Sequence, residues 1–535
     1  MTNHLLKNDM KGKRVLIIGR HPLAGNVVAQ YEAMGASVDH VDACNDVAHV
    51  SEYDELGVFL ECGENPTETD STMLSAMRQL ASDYEMRPGV TRKPLCHMLL
   101  HSKVTLWLMQ TLDLYKGIND KFEVYAFTMA DLWAKNVLCE VGTSTPHYRP
   151  LDREPVTTDM EKTVHFVIFG MGDMAESLAQ HAALVAHFPN YVRNHSLRTR
   201  ITIVGKGITA MRNAFLQRHQ ELFDHSYYRC MTMDKSCTTT LFHYPVYVSS
   251  REDFIDVEWE FVEGELHHPV MQAKLRQWAQ SKSQILTLAL CYDSFALNFD
   301  EAFAMPKEVY ENDIPVLTYV RNSEIFDDVR ATNSFTNIYP FGMENCGYDV
   351  RLPLLRMAKC LNYFYQSSYG GEGTPTDMPA EKVEEAWAKL KNFSFRYSNI
   401  YNVMTIATKM RSLGHKEKEW NVFYALNKEE IEQLSAVEHN RWSLERLMLG
   451  FRPPSDSERK EIEDNIKAFE RARKDNTPQP EVDLKKEYKK KKVHFDLCSY
   501  SELGNDATGK DVRIYDYDLT ACIPLIANTF KEQQT

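Results

Sequence analysis

Short apolar runs alternate with helical patterns along the first third of the chain. Val15 to Ile18 is a continuous apolar run ending at Gly19. Val27, Val28, Tyr31 and Met34 then share one helical face closed by Gly35, and Ser37 to Val41 reads as a second strand. Strand, helix and strand in that order predict a βαβ opening. Further strands are expected at 57–61, 94–100 and 123–127, with helical patterns between them, so residues 1–145 form one open α/β sheet.

A second unit, 158–366, repeats the plan. The run "KTVHFVIF" leads into Gly170, Gly172 and Ala175 and then a helix, and "RTRITIVGKG" ends at Gly205 and Lys206. Strands at 257–261, 285–290 and 315–320 complete a second parallel sheet. The Gly-, Pro-, Ser- and Thr-rich stretch 367–382 marks a boundary. Helical patterns follow through a connecting segment, 367–429, closed by Gly414. Beyond it, Leu434, Val437, Trp442, Leu444, Leu447 and Met448 recur mostly at three and four residues up to Gly450, which predicts one helix.

A chain of 535 residues has room for about three domains at roughly 150 residues each. With 43% hydrophobic and 25% charged residues and a mean hydropathy of -0.42, it has an ordinary globular composition. No transmembrane run and no secretory leader are read, so a cytoplasmic protein is expected. The 11 cysteines form no CxxC pair and read as reduced thiols. A net charge of -14 argues against general nucleic-acid binding. The one basic run, "KKEYKKKK" from Lys485 to Lys492, reads as a solvated loop, with binding of an anionic ligand or surface as the alternative.

The glycine turns are the candidate cofactor sites. In the first unit Gly19 and Asp42 stand near the positions of a dinucleotide turn and its ribose carboxylate, but His21 crowds the pyrophosphate approach. In the second unit Gly170, Gly172 and Ala175 fit GxGxxA: a tight turn, close backbone approach, and close helix–strand packing, with the helix N-terminus free to hold a phosphate. Lys206 replaces the usual acidic residue and suits a phosphate, and Asp293 follows a strand end where ligand crevices form. The first unit is expected to pack on the second as a pseudo-symmetric partner. Adjacent His267 and His268 diverge on any regular element and do not read as metal ligands.

The predicted helix at 434–450 gathers Glu438, Trp442, Glu445 and Arg446 on one flank, while Asn440 and Arg441 turn away. As a pocket, Trp442 offers a stacking face, Arg446 a planar cation for phosphate, and Glu438 or Asn440 acceptors for a base or ribose edge. As a structural signature, Trp442 is core and Glu438 pairs with Arg446 across two turns. No nucleophile elbow or HExxH set accompanies Glu438 and His439, so catalysis is not expected there.

"AVEHNRWSLERLMLGF", followed by "HFDLCSYSELGNDATGKDVRIYDYDLTACIPLI", resembles the Ry repeat domain, named from ryanodine receptors and found also in bacterial proteins; the resemblance covers 430–532. The preceding "RYSNIYNVMTIATKMRSLG" looks like the helix joining a TrkA-N-type nucleotide-binding domain to an Ry domain, and the two α/β units are similar to that Rossmann-like type. The resemblance implies two tandem Rossmann-like sheets, a helical linker and a small, mainly α-helical Ry domain. It also implies a cytoplasmic regulatory protein that senses a nucleotide or nucleotide-derived ligand, without a channel of its own. A nucleotide-cofactor-dependent enzyme and a scaffold with empty nucleotide folds stay open as alternatives, as does a homo-oligomer.

Overall fold

Five strands, β1 (Arg14–Ile18), β2 (Ser37–Val41), β3 (Glu55–Val58), β4 (Leu95–Leu99) and β5 (Glu123–Phe127), form an all-parallel sheet in the order β2-β1-β3-β4-β5. The structure is a computed structural model describing residues 10–47, 49–88, 92–112, 116–139, 151–233, 238–243, 253–332, 334–369, 375, 377–390, 393–414 and 426–531. The expected end of the first unit near 145 and part of the 367–382 boundary fall outside the described residues.

The second sheet contains β6 (Thr163–Phe169), β7 (Thr199–Gly205), β8 (Tyr228–Met233), β9 (Thr238–His243), β10 (Val257–Glu263), β11 (Gln284–Leu290), β12 (Val316–Tyr319) and β13 (Ile338–Phe341). Their order is β13-β12-β11-β6-β7-β10-β8-β9. This sheet is mixed rather than parallel as expected, because β8 and β9 form an antiparallel pair at its edge. Each sheet reverses its winding beside its first strand, between β1 and β3 and between β6 and β11, where open sheets leave a crevice at their strand ends.

The two units pack as expected but not symmetrically. The Met129–Leu138 helix, last in the first unit, lies on the Asp173–Val185 helix, first in the second, so non-equivalent elements meet. Trp133, Val137, Leu178 and Ala182 there belong to one core with residues from both sheets. The turn after β13 is clamped onto helices of the first unit. Trp133 Nε1 donates to the Met343 carbonyl at 3.0 Å, Asn136 to that of Gly347 at 2.6 Å, and Gln30 to that of Tyr348 at 2.7 Å.

The expected C-terminal helix spans Lys428–Met448, started by a capping box in which Asn427 accepts from the Glu430 amide and Glu430 from the Asn427 amide. Leu434, Leu444 and Leu447 join the same core as the sheets. The lysine run is not a loop: Leu484–Lys490 is a helix capped by Asp483. Among the described residues no helix is long and apolar enough to cross a membrane.

Candidate functional site

A chain of buried charges runs along the 428–448 helix. Lys409 Nζ donates to Glu438 at 2.6 Å, Arg441 reaches back to Glu438 at 2.8 Å, and its Nη1 donates forward to Glu445 at 2.7 Å. Burial alone would raise the Glu438 carboxyl, but the charges of Arg441 and Lys409 outweigh it and hold it at about 2. Arg441 therefore does not turn away. It is the centre of the network, and the expected Glu438–Arg446 pair does not form. Arg446 lies 3.3 Å from Glu445 instead, and its guanidinium sits over the rings of Phe395, Trp442 and Phe451. The cause is helical geometry: Arg441 and Glu445 lie three and seven residues from Glu438, on one side of the helix, and Arg441 spans both carboxylates.

Trp442 is half-buried, its ring against His439 at 5.6 Å and edge-on to His494 at 4.8 Å. His439 is fixed between the Asp516 carboxylate at 3.1 Å and the Cys498 carbonyl at 3.0 Å. Asn440 is buried, and its Nδ2 has no hydrogen-bond partner. Of the four candidates, Trp442 and Arg446 therefore lie against each other, while Glu438 is taken up by Lys409 and Arg441.

The glycine turns serve strand packing. Gly19 and Gly170 adopt φ of +109° and +135°, and a Cβ on either would strike the neighbouring backbone carbonyl, of Phe59 and Cys291 respectively. In the first crevice His21 is buried, and its Nδ1 accepts from the Leu23 amide at 3.2 Å at the start of the next helix. Burial, with His101 beside it, lowers the imidazole to about 4. Asp42 is exposed and paired with Arg20. In the second crevice Asp293 Oδ1 fills the space a Cβ on Gly172 would occupy, and Ala175 is fully buried. Asp173 and Glu176 already supply negative charge to the helix N-terminus there. Lys206, 81% exposed, pairs with Glu265 at 2.9 Å. Gly170, Gly172, Ala175 and Asp293 are brought together, with the Asp293 carboxylate seated against Gly172. His268 caps the Pro269–Gln280 helix, and His267 lies 3.0 Å from Glu301.

A cavity of about 220 Å³ lies elsewhere, where the two units, the connecting helices and the 428–448 helix converge. The Lys103–Thr111 helix supplies Lys103 and Trp107. Asp131 comes from the first turn of the Met129–Leu138 helix, and Glu176, Ser177, Gln180 and His181 from the Asp173–Val185 helix. Arg218 and His219 close one side, Tyr397 and Tyr401 of the Phe393–Met404 helix another, and Glu445 and Met448 the last. At one wall Asp131 accepts from Lys135 at 2.7 Å and faces His181 Nε2 at 2.9 Å. Burial would raise Asp131, but the Lys135 charge and then His181 bring it to about 2. Glu176 is gripped by Lys103 from the first unit and Arg218 from the second. His219 Nε2 accepts from the Gln180 amide at 3.1 Å, and burial lowers the imidazole to about 4.

Sequence reasoning placed Glu445 on the right helix but did not select it, and it missed Asp131, Glu176, His181 and Arg218. Two weak signals existed: Ser177 and His181 fall one turn apart on the helix after Gly172, and Asp131 and Lys135 form an i,i+4 pair inside an otherwise apolar helix. No protein-family model matches the chain, and a search of curated proteins finds no match either.

Proposed function

We propose that this chain is a regulatory protein that binds and senses a nucleotide-derived small molecule, in keeping with the resemblance of its α/β units to Rossmann-like TrkA-N domains and of its C-terminal part to Ry domains. The strand orders support the Rossmann-like reading: β11-β6-β7-β10 places each crevice beside the first strand, as doubly wound nucleotide folds do. One observation carries the proposal. The cavity is walled by helices from both α/β units, the connecting segment and the 428–448 helix, so a ligand there touches both units, the connecting segment and the first helix of the C-terminal part at once.

A ligand that binds one arrangement of those segments better than another shifts the balance between them, which is what sensing requires. Small-molecule sites usually measure about 300–1,000 Å³, so a cavity of about 220 Å³ suits one nucleoside-sized group rather than a dinucleotide. Purified full-length protein, denatured and its supernatant read by mass spectrometry, is expected to release a nucleotide-derived compound. A redox cofactor would favour the enzyme alternative. No bound compound, together with no thermal shift from any nucleoside or nucleotide, would overturn the sensor reading.

A further inference from the structure

Strand β10 reads "VEWEFVE", and the pleat sends its alternate residues to opposite faces of the second sheet. Trp259 and Phe261 are buried on one face, and Glu258 and Glu260 lie on the other. Register carries that polar face toward the edge of the sheet: Arg200 of β7 stands beside Glu258, Arg229 of β8 beside Glu260, and Phe242 of β9 beside Arg229. Lys274 and Trp278 of the Pro269–Gln280 helix complete the lining of an open pocket of about 280 Å³ there. It shares no residue with the cavity between the units.

Positive charge exceeds negative in this pocket. Arg200 Nε donates to Glu258, and Arg229 Nε donates at 3.1 Å to Glu260, which also accepts from Thr202 at 2.8 Å. Among the described residues neither guanidinium makes a further hydrogen bond through its Nη groups, and Arg229 Nη2 stands 3.9 Å from Glu258. The two arginine side chains are 25% and 24% exposed, so a solute reaches them. Lys274 meets no carboxylate among the described residues; its contact is the Trp278 ring at 5.7 Å. Three cations therefore face two carboxylates. After burial, the charges of these same three cations lower the nearby His165 imidazole, which marks them as converging on one positive region.

The geometry points to a binding site for an organic phosphate, its phosphoryl oxygens accepting from the Nη groups of Arg200 and Arg229 and from Lys274, and its planar part lying on Phe242. A guanidinium whose Nε is held by a carboxylate presents its Nη edge in a set direction, and that fork suits phosphate oxygens. Cross-strand ion pairing alone would account for the two arginines. It gives no role to the unpaired Lys274 or to Phe242, which is 62% exposed at the pocket. The site goes beyond the sensor reading and stands or falls without it.

The test is calorimetric titration of the full chain with phenyl phosphate, inorganic phosphate and benzoate at low ionic strength. One phenyl phosphate per chain is expected to bind, more tightly than either of the other two, and potassium chloride should weaken it. Lys274→Gln, which breaks no ion pair, should weaken phenyl phosphate roughly ten- to a hundredfold through loss of a charge-assisted hydrogen bond. Phe242→Ala should bring phenyl phosphate down to the affinity of inorganic phosphate and leave the latter unchanged. If either variant folds poorly, the comparison of phenyl phosphate with benzoate on unaltered protein decides the matter. No saturable binding of phenyl phosphate, benzoate bound as tightly, or an unchanged affinity in folded Lys274→Gln would overturn the inference. A nucleotide-derived compound released from the purified protein would uphold the sensor reading in any of those cases.

Discussion

Arg441 Nη2 donates to Glu438 Oε1 at 2.8 Å, one turn apart on the 428–448 helix, with each side chain 1% exposed. Removing one member of such a pair leaves an uncompensated buried charge and costs about 3–5 kcal/mol. Arg441→Met leaves Glu438 with Lys409 and Glu445 with Arg446 but removes the cation that both share, so its urea midpoint should fall by up to that equivalent with little change in slope. Glu438→Gln should fall by a similar amount, because Arg441 keeps Glu445 but the buried Lys409 loses its carboxylate. Arg446→Ala should behave differently from both, since it removes a cation held by three aromatic rings. Equal losses from Arg446→Ala and Glu438→Gln, non-additive in the double variant, would revive the pairing of those two residues.

The contact between Gly172 and Asp293 yields a second expectation. Gly172→Ala places a methyl against the Asp293 carboxylate, and overpacking of this kind costs typically about 1–3 kcal/mol. Asp293→Ala should cost little alone and should relieve most of the Gly172→Ala penalty. A double-mutant cycle by chemical denaturation measures the coupling, and additive losses would show that the carboxylate moves aside freely. If instead Asp293→Ala creates phosphate binding at this helix N-terminus, titration with inorganic phosphate will detect it.

Strands β1, β4, β6 and β11 could be read from the chain because each is a mostly apolar run, broken inside only by His97, His165 and Thr287, whose side chains are buried on both faces of a sheet. The edge could not. β8 and β9, "YRCMTM" and "TTTLFH", carry neither a clean alternation nor a continuous apolar run, and β13 contains Pro340, a residue that demotes a strand in any sequence reading. The charged helix was misread for a related reason. Periodicity separates a buried face from a wet one, but this helix is packed by other elements on several sides, so Arg441 is as buried as Leu444. The cavity was out of reach because Lys103, Asp131, Glu176, Arg218, Tyr401 and Glu445 are scattered over more than half the chain and meet only after the units dock.

Acid should destabilise the protein in two stages. His165 is fully buried between Thr202 and Gln284, and burial lowers it to about 3. In the unfolded chain it binds a proton near pH 6.5. Its contribution is therefore complete above about pH 6.5 and is lost as pH falls toward 3, at up to about 1.4 kcal/mol per pH unit for that proton. Glu438 and Asp131, held at about 2, contribute fully above the usual carboxylate range of about 4 and lose that contribution only as pH falls through about 2. Urea midpoints measured from pH 8 to 3 should decline from near pH 6.5 in the native chain. His165→Gln, which can keep bonds to Thr202 and Gln284, should flatten the upper part of that decline. An unchanged slope in the variant would remove His165 as the source.

Tyr348 ties the second unit to the first sheet. Its hydroxyl lies 2.6 Å from His97 Nδ1 on β4, its ring stacks on Phe127 of β5 at 4.4 Å, and its carbonyl accepts from Gln30. The contact is buried, so the ring adds apolar area to the interface while its hydroxyl satisfies a histidine that is itself fully buried. Truncation to alanine removes both and leaves His97 Nδ1 alone in the core, a loss of about 3–5 kcal/mol by analogy with other large aromatic truncations. The interface also includes the Met129–Leu138 and Asp173–Val185 helices, whose shared core persists in the variant. If Tyr348 is the main coupling between the units, Tyr348→Ala should split a single calorimetric unfolding transition into two, with the first unit melting earlier. A single transition shifted downward as a whole would instead place the coupling in the helix pair, and Trp133→Ala would then be the substitution that divides the melt.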